Sequence, residues 1–414
     1  MEKQFDNLYG VKPVYSDNPA SRRKQAFIEQ EQARKQSEVP LRPPNIGFFE
    51  KLMYSKPSAS KRPRVGYFCN MIPPEIIAAM GADAVRLDCG NNMAATIGEE
   101  IFAGEICPVA KASFGMFLQE DSLCATCDLL VVPSSCDAKR KMGEVLNDFK
   151  PTFTLNIPTE QNHKLYVKQT YLELKRFVNF LSDNLGTKLK AGSLIKEIEK
   201  GRRRSIVVRK LQDLRAKKPQ VLSIRDLFLI IQSAFFRIVD LKNWLEETEK
   251  VIAFLGGSAP PRKSLRPRLV LTGAPMVWPN FKVLNLLEES GADIVADTLC
   301  TGAQAAFDPV VIDERGKKSL LRALANRYVY ASICPCFISQ TTRINRILEL
   351  NDTYSTDGVI NYSLRLCQLF DVENYRLGRT LKERRISYMN VRSDYSLEDT
   401  EQLRVRIEAF LETL

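Results

Sequence analysis

Residues 128–144 read DLLVVPSSCDAKRKMGE. The run 128–133 has the length and β-branched content of a buried strand. From Asp137 the spacing of apolar residues turns helical, and Cys136 stands in the turn between. The same plan recurs on either side. Residues 64–69 (RVGYFC) and 83–87 read as strands, 73–80 as a helix with proline at its start, and 152–157 (TFTLNI) as a further strand. Strands alternating with helices imply a parallel sheet with crossover connections.

The alternation stops near residue 160. Residues 164–185, 193–214 and 223–254 carry apolar residues at three- and four-residue spacing and predict long amphipathic helices, with Ser223 as an N-cap. It then resumes, with strands expected at 268–271, 293–296, 328–332, 358–361 and 387–391, and helices at 281–290, 343–350 and 397–414. The expected class is α/β: two doubly wound parallel-sheet domains with a helical insert and an N-terminal helical arm. The boundaries are an arm and linker over 1–60, a first α/β domain over 61–159, a helical segment over 160–260 and a second α/β domain over 261–414.

Composition narrows the function. The 414 residues carry 60 Lys+Arg against 49 Asp+Glu, a net charge of +11, and 44% hydrophobic residues, which excludes a disordered chain. No apolar run reaches the ~20 residues of a membrane span. The first ten residues, MEKQFDNLYG, lack the apolar core of a signal peptide. A soluble, cytoplasmic protein without membrane contact is expected. Basic runs at 61–64, 201–204, 209–218 and 262–268 have no interleaved aromatics or recognition motif, so they read as solvated faces and nucleic acid is not an expected partner. Phosphate-cradling glycine motifs are absent, so the chain is not expected to hydrolyse ATP itself.

There is one histidine, His163, and there are ten cysteines. A lone imidazole argues against Ser–His–Asp and Cys–His catalysis and removes the commonest metal ligand. Cys69, Cys136, Cys300, Cys334 and Cys336 fall at or just beyond the carboxyl ends of expected strands, where open α/β sheets bind ligands. Thiolates without imidazole select zinc or an iron–sulfur cluster. Cys124 and Cys127 form the one C-x-x-C pair, and no second pair follows to make a zinc ribbon. Thioredoxin-like redox chemistry at CATC is the rival reading. Thiols scattered along the chain suit a cluster clasped between two domains.

Six segments then carry a resemblance: 66–79 (GYFCNMIPPEIIAA), 106–115 (ICPVAKASFG), 128–144, 297–302 (DTLCTG), 357–367 (DGVINYSLRLC) and 393–410 (SDYSLEDTEQLRVRIEAF). They run in the order found in the 2-hydroxyacyl-CoA dehydratase / benzoyl-CoA reductase superfamily of oxygen-sensitive iron–sulfur proteins, which the chain resembles from residue 64 to its end. The resemblance implies a [4Fe–4S] cluster held by Cys107, Cys136 and Cys367. It also implies a separate ATP-dependent iron–sulfur activator as the electron donor. In the dehydratases an electron enters a 2-hydroxyacyl-CoA as a ketyl radical and water leaves; in the reductase an aromatic ring is reduced.

The surplus of cysteines points to the double-cubane cluster branch of the superfamily, which is typically homodimeric and holds two cubanes on three thiolates each. Cys124, Cys300 and one of Cys334 and Cys336 would complete that second set. Cys336 is favoured because it lies farther beyond the expected strand end. Cys69 and Cys89 are expected to be structural. The leading expectation is therefore an iron–sulfur oxidoreductase passing electrons to a small substrate. The alternatives are the [4Fe–4S] subunit of a dehydratase, a lyase acting on an acyl-CoA, and a non-catalytic electron-transfer protein. At the last strand-to-helix turn, Asp394 and Tyr395, with Asp399, Gln402 and Arg406, read either as helix capping or as a proton donor facing the cluster, through Tyr395 or Asp394.

Overall fold

A computed structural model describes residues 42–54, 60–102, 105–119, 122–237, 239–258 and 265–414. The expected N-terminal arm lies largely outside the described residues. Within it, α1 (Ile46–Tyr54) buries Phe49 and Met53.

The first sheet holds β1 (Arg64–Tyr67), β2 (Asp83–Arg86), β3 (Leu129–Pro133) and β4 (Thr152–Leu155), all parallel, in the order β2-β1-β3-β4. Its helices are α2 (Pro74–Ala79), α3 (Asn92–Gly98), α4 (Pro108–Phe117) and α5 (Asp137–Leu146). Four long helices follow: α6 (Lys164–Leu185), α7 (Ala191–Lys217), α8 (Ile224–Phe236) and α9 (Leu241–Gly257). The second sheet holds β5 (Arg268–Gly273), β6 (Asp293–Asp297), β7 (Gly358–Leu364) and β8 (Ser387–Ser393), again parallel and in the equivalent order β6-β5-β7-β8. Around it lie α10 (Lys282–Glu289), α11 (Lys317–Tyr330), α12 (Thr341–Tyr354), α13 (Gln368–Glu383) and α14 (Thr400–Leu411). Two Rossmann-like sheets therefore share one winding. In each, the chain steps one way from the first strand to the second and then returns to the first strand's other side. That reversal opens a crevice beyond the carboxyl ends, between β1 and β3 and between β5 and β7.

The long helices cover both sheets. Phe177 and Leu181 of α6 pack with Val65 and Val131 of the first sheet, joined by Leu320 and Leu324 of α11. Leu227 and Ile230 of α8 and Trp244 of α9 pack with Leu269, Leu271 and Ile360 of the second. Each such side chain contributes roughly 1.5–3 kcal/mol on burial. The halves are thus held by shared helices as well as by direct contact.

Three expectations need correction. Residues 223–254 form two helices, α8 and α9, although Ser223 does cap the first, its Oγ accepting from the Asp226 N–H at 2.9 Å. Residues 328–332 are not a strand: α11 runs to Tyr330, burying Leu320, Leu321, Leu324, Ala325 and Tyr328 along one helical face. Packing of that face overrides the β propensity of Tyr328-Val329-Tyr330. Cys334 and Cys336 consequently follow a helix. Finally, the run 209–218 is not simply a solvated face. Arg215 is 1% exposed and donates to the Leu222 carbonyl at 2.9 Å, and Lys218 donates to the Leu255 and Ser258 carbonyls at the end of α9, at 2.8 and 2.7 Å. No helix among the described residues is long and apolar enough to cross a membrane.

The halves also touch backbone to backbone. The Gly90 N–H donates to the Trp278 carbonyl at 3.2 Å, and a Cβ at Gly90 would lie 1.9 Å from the Val277 carbonyl oxygen. Gly90→Ala must part the two halves there and is expected to lower stability by about 1–3 kcal/mol in urea denaturation. Gly256→Ala, on α9 with nothing within 4 Å of its Cβ, is the control and is expected to be neutral or stabilising by about 0.4–1 kcal/mol. Equal midpoints for the two variants would contradict the close approach.

Candidate functional site: a thiol-lined cleft between the sheets

The carboxyl ends of the two sheets face a common cleft of about 1000 Å³, its mouth included. Six cysteines line it: Cys69, Cys107, Cys136, Cys300, Cys334 and Cys367. Cys69 follows β1, Cys136 follows β3, Cys300 follows β6 and Cys367 follows β7. Cys107 starts α4, and Cys334 lies in the loop from α11 to α12.

Three of these thiols occupy the same kind of position. Cys107 is the N-cap of α4, Cys136 of α5 and Cys367 of α13. Three helix N-termini, each with unpaired N–H groups and the positive end of a dipole, thereby converge on one cleft. Such ends stabilise thiolates and other anions. The Lys139 N–H donates to Cys136 Sγ at 3.5 Å. The Cys107 thiol is lowered to about 7 by a hydrogen bond with Cys367 and by the Val109 and Ala110 N–H groups. Its partner Cys367 is correspondingly raised. Cys136 is pushed up to about 11 by burial.

The other three thiols form a second neighbourhood. Burial pushes Cys300 up to about 12, and the nearby sulfurs of Cys69 and Cys334 add to the rise. Cys69 is likewise raised by burial, with Cys334 adding to it. Cys334 is raised by its hydrogen bond with Cys336 and by burial. Cys69 also acts on Cys136, so the two neighbourhoods adjoin.

Asp88 organises this wall. It is 4% exposed, and its carboxylate accepts from the Cys69 N–H at 2.9 Å, from Arg86 Nε at 2.7 Å and from Lys139 Nζ at 2.6 Å. Burial opposes its charge, but Lys139 and Arg86 outweigh that and hold the carboxyl well below the usual carboxylate range. Arg86 then reaches across to the second half, donating from Nη1 to the Cys300 carbonyl at 2.8 Å. Cys69 itself sits at φ 74° and Leu366, beside Cys367, at φ 65°. Both are left-handed conformations that cost a non-glycine residue roughly 1–3 kcal/mol and persist where surrounding contacts fix them. On the opposite wall Arg343 donates to Thr272 Oγ1 and Asn361 Oδ1, each at 3.0 Å, and pairs with Glu373.

The remaining candidates lie elsewhere. Cys124 and Cys127 are 2% and 1% exposed in the core beneath the first sheet, packed with Phe114 and Leu130. Cys336 is half-buried next to Cys334 but does not line the cleft. Cys89 is buried in the second sheet's core. The Tyr395 hydroxyl donates to the Cys89 carbonyl at 3.3 Å, and Asp394 pairs with Arg365 at 3.1 Å while accepting from the Ser396 N–H at 2.9 Å; neither lines the cleft. Asp399 is the N-cap position of α14 and pairs with Lys282 at 2.5 Å. The single imidazole, His163, caps α6 by accepting from the Leu165 N–H at 3.1 Å. Sequence reasoning placed Cys69 at a strand end but expected it to be structural, whereas it lines the cleft; Asp88, just past β2, was not singled out, although its position was the available signal.

Fold and site together define a class: an α/β protein with two facing Rossmann-like sheets that close on a cysteine-lined cleft. The 2-hydroxyglutaryl-CoA dehydratase D-component family model matches residues 69–414, and the chain belongs to that family. It is 28% identical over 358 residues to YjiM of Escherichia coli (strain K12), which carries a provisional name as a dehydratase subunit; the match covers 85% of this chain and 91% of YjiM. It is 23% identical over 353 residues to the (R)-phenyllactyl-CoA dehydratase beta subunit of Clostridium sporogenes, covering 83% of this chain and 89% of that subunit.

Removing the organising carboxylate tests the wall. Asp88→Ala leaves Arg86 and Lys139 without their shared partner and is expected to cost roughly 3–5 kcal/mol in chemical denaturation. A loss below about 1 kcal/mol would show that the network is not what holds Cys69 and Cys300 in place.

Proposed function

We propose that the chain is an iron–sulfur oxidoreductase of this superfamily. In this reading the cleft holds [4Fe–4S] chemistry, fed with low-potential electrons by a separate ATP-dependent iron–sulfur activator, and acts on a small substrate. The observation that carries the reading is that six thiols line one interdomain cleft. Cys107, Cys136 and Cys367 make one set. Cys69, Cys300 and Cys334 make the other. Three thiolates on each of two linked cubanes is the double-cubane arrangement. The cleft favours Cys334 over Cys336 and Cys69 over Cys124, because Cys334 and Cys69 line it.

The donor set fits a cluster. Among the described residues, no three His, Cys, Asp or Glu side chains close on a single ion. In a cubane each thiolate takes a different iron, so the sulfurs need not meet at one point. A cluster bound there would store and deliver electrons at low potential. The chain's own residues do the rest. The three helix N-termini and the cations Arg86, Lys139 and Arg343 favour thiolates and an anionic group, and the buried walls limit water. Most of these thiols are protonated near neutral pH when empty, so loading releases protons and is favoured by rising pH. A homodimer in the cytoplasm completes this reading.

A second reading, a dehydratase subunit acting on a 2-hydroxyacyl-CoA with one cluster on Cys107, Cys136 and Cys367, is favoured by the names of the two relatives. Iron and sulfide analysis of protein prepared without oxygen separates the two. About eight irons per chain supports the double cubane and about four the dehydratase reading. Cys136→Ala is expected to lose the first set's iron in either case, and Cys300→Ser to fall from about eight to about four. Cys124→Ala, a core change, is expected to keep its iron. Full iron in Cys136→Ala would sink both readings.

A further inference from the structure

Beyond Arg86 lies a second cavity of about 590 Å³, its mouth included, with Tyr67, Glu75, Arg86, Arg204, Arg327 and Tyr328 on its walls. Asn70, Arg86 and Arg327 border both this cavity and the cysteine cleft. The two spaces are neighbours parted by two guanidinium groups. Strands β1 and β2 supply Tyr67 and Arg86, α7 supplies Arg204, and α11 supplies Arg327 and Tyr328, so both halves and the long helices build it.

Its charges are unequally satisfied. Arg86 pairs with Asp88 at 2.7 Å. Arg204 and Arg327 have no carboxylate within ion-pair distance among the described residues. Arg204 donates from Nη1 to the Ala234 carbonyl at 3.2 Å and lies over the Phe235 ring, while its buried Nε has no acceptor. Arg327 donates from Nε to the Asp308 carbonyl at 2.9 Å and lies over the Tyr328 ring. Tyr67 is 3% exposed, and its hydroxyl has no hydrogen-bond partner among the described residues. The two carboxylates on the walls are engaged: Asp308 pairs with Arg346 at 3.1 Å, and Glu75 accepts from the Tyr328 hydroxyl at 3.1 Å.

Two half-buried guanidiniums without a carboxylate partner and the Tyr67 hydroxyl face one concave space, with the buried Arg204 Nε lacking an acceptor, so an acceptor there would complete donors the fold leaves open. Planar guanidinium forks match the oxygens of carboxylate and phosphate groups. We propose that this second cavity binds a small oxyanion, a carboxylate or phosphate-type group, held by Arg204 and Arg327 with the Tyr67 hydroxyl. The site is defined by its own residues and does not depend on whether the neighbouring cleft holds one cluster, two or none.

The test uses full-length protein prepared without oxygen, with the metal it then contains. It is titrated calorimetrically with inorganic phosphate and, separately, with acetate, at ionic strength held constant with chloride. Saturable binding is expected in the unaltered protein, weakened about tenfold or more in Arg204→Gln and in Arg327→Gln. Arg202→Gln, an exposed residue on α7 paired with Glu199, is expected to bind as the unaltered protein does. Saturation by phosphate alone assigns a phosphoryl-type ligand, and by acetate alone a carboxylate; both support the site. Binding that never saturates, or that is equal in Arg202→Gln, Arg204→Gln and Arg327→Gln, overturns it. If either glutamine variant fails to fold, Arg204→Lys and Tyr67→Phe carry the test. Each keeps the cavity's charge and alters one donor, so affinity is expected to fall several-fold, and unchanged affinity in both overturns the proposal.

Discussion

One buried carboxylate ties the site to the fold. Asp88 joins the backbone after β1, the last residue of β2 and a lysine on α5, through Cys69, Arg86 and Lys139. Arg86 carries the connection to Cys300 in the other half. A carboxylate, a guanidinium and an ammonium in a low-dielectric wall are stable only as a set, because each alone would carry a large desolvation cost. Their grouping therefore fixes the relative positions of two strand ends, one helix and the partner sheet. Those are the elements that carry Cys69, Cys136 and Cys300. Positioning of the thiols is thus a consequence of charge pairing as well as of sheet topology.

Topology supplies the rest. Each sheet reverses its winding at its first strand, so each opens a crevice at its carboxyl edge, and the two crevices face one another. A single sheet of this kind binds a ligand on one side. Two face to face can surround one. The helices α6 and α11, packed on the first sheet, and α8, packed on the second sheet and on α1, hold that arrangement through hydrophobic burial. Gly90 lets the backbones meet where no side chain fits.

Much of this was legible in the residues. Strand-turn-helix patterns such as 128–144 carry local information: apolar strand, thiol in the turn, helix after it. They gave the α/β class and most elements correctly. Legibility failed where tertiary packing decides. Residues 328–330 have strand-like side chains but lie on a helix whose buried face begins at Leu320. The break between α8 and α9 has no glycine or proline to announce it. In the candidate site, Cys69, Cys136, Cys300 and Cys334 stood out by their place beyond expected strand ends, whereas Cys107 and Cys367 came only from the resemblance. That Cys69 faces the cleft depends on a left-handed backbone and on Asp88, which sequence spacing does not reveal. Cys124, counted toward the second set because the chain has more cysteines than one cluster needs, packs with Phe114 and Leu130 in the core.

The distribution of positive charge explains why the interior can hold so many thiols. Burial alone raises a thiol and keeps it neutral, as at Cys300 and Cys136. Helix N-termini and cations act against that, and they are concentrated on the cleft wall rather than spread over the surface. Arg86 is compensated by Asp88, and Arg343 by Glu373, so these cations are held in place before any anionic group arrives. Arg204 and Arg327, by contrast, have no such carboxylate among the described residues. A protein that pairs its buried cations in one chamber and leaves two unpaired in the next has built two different electrostatic environments within reach of Arg86. The first suits a group whose negative charge is spread over many sulfurs, and the second a compact oxyanion. Sharing Arg86 and Arg327 between them means that charge placed in either chamber is felt in the other, most strongly through Arg86, which is buried away from bulk water.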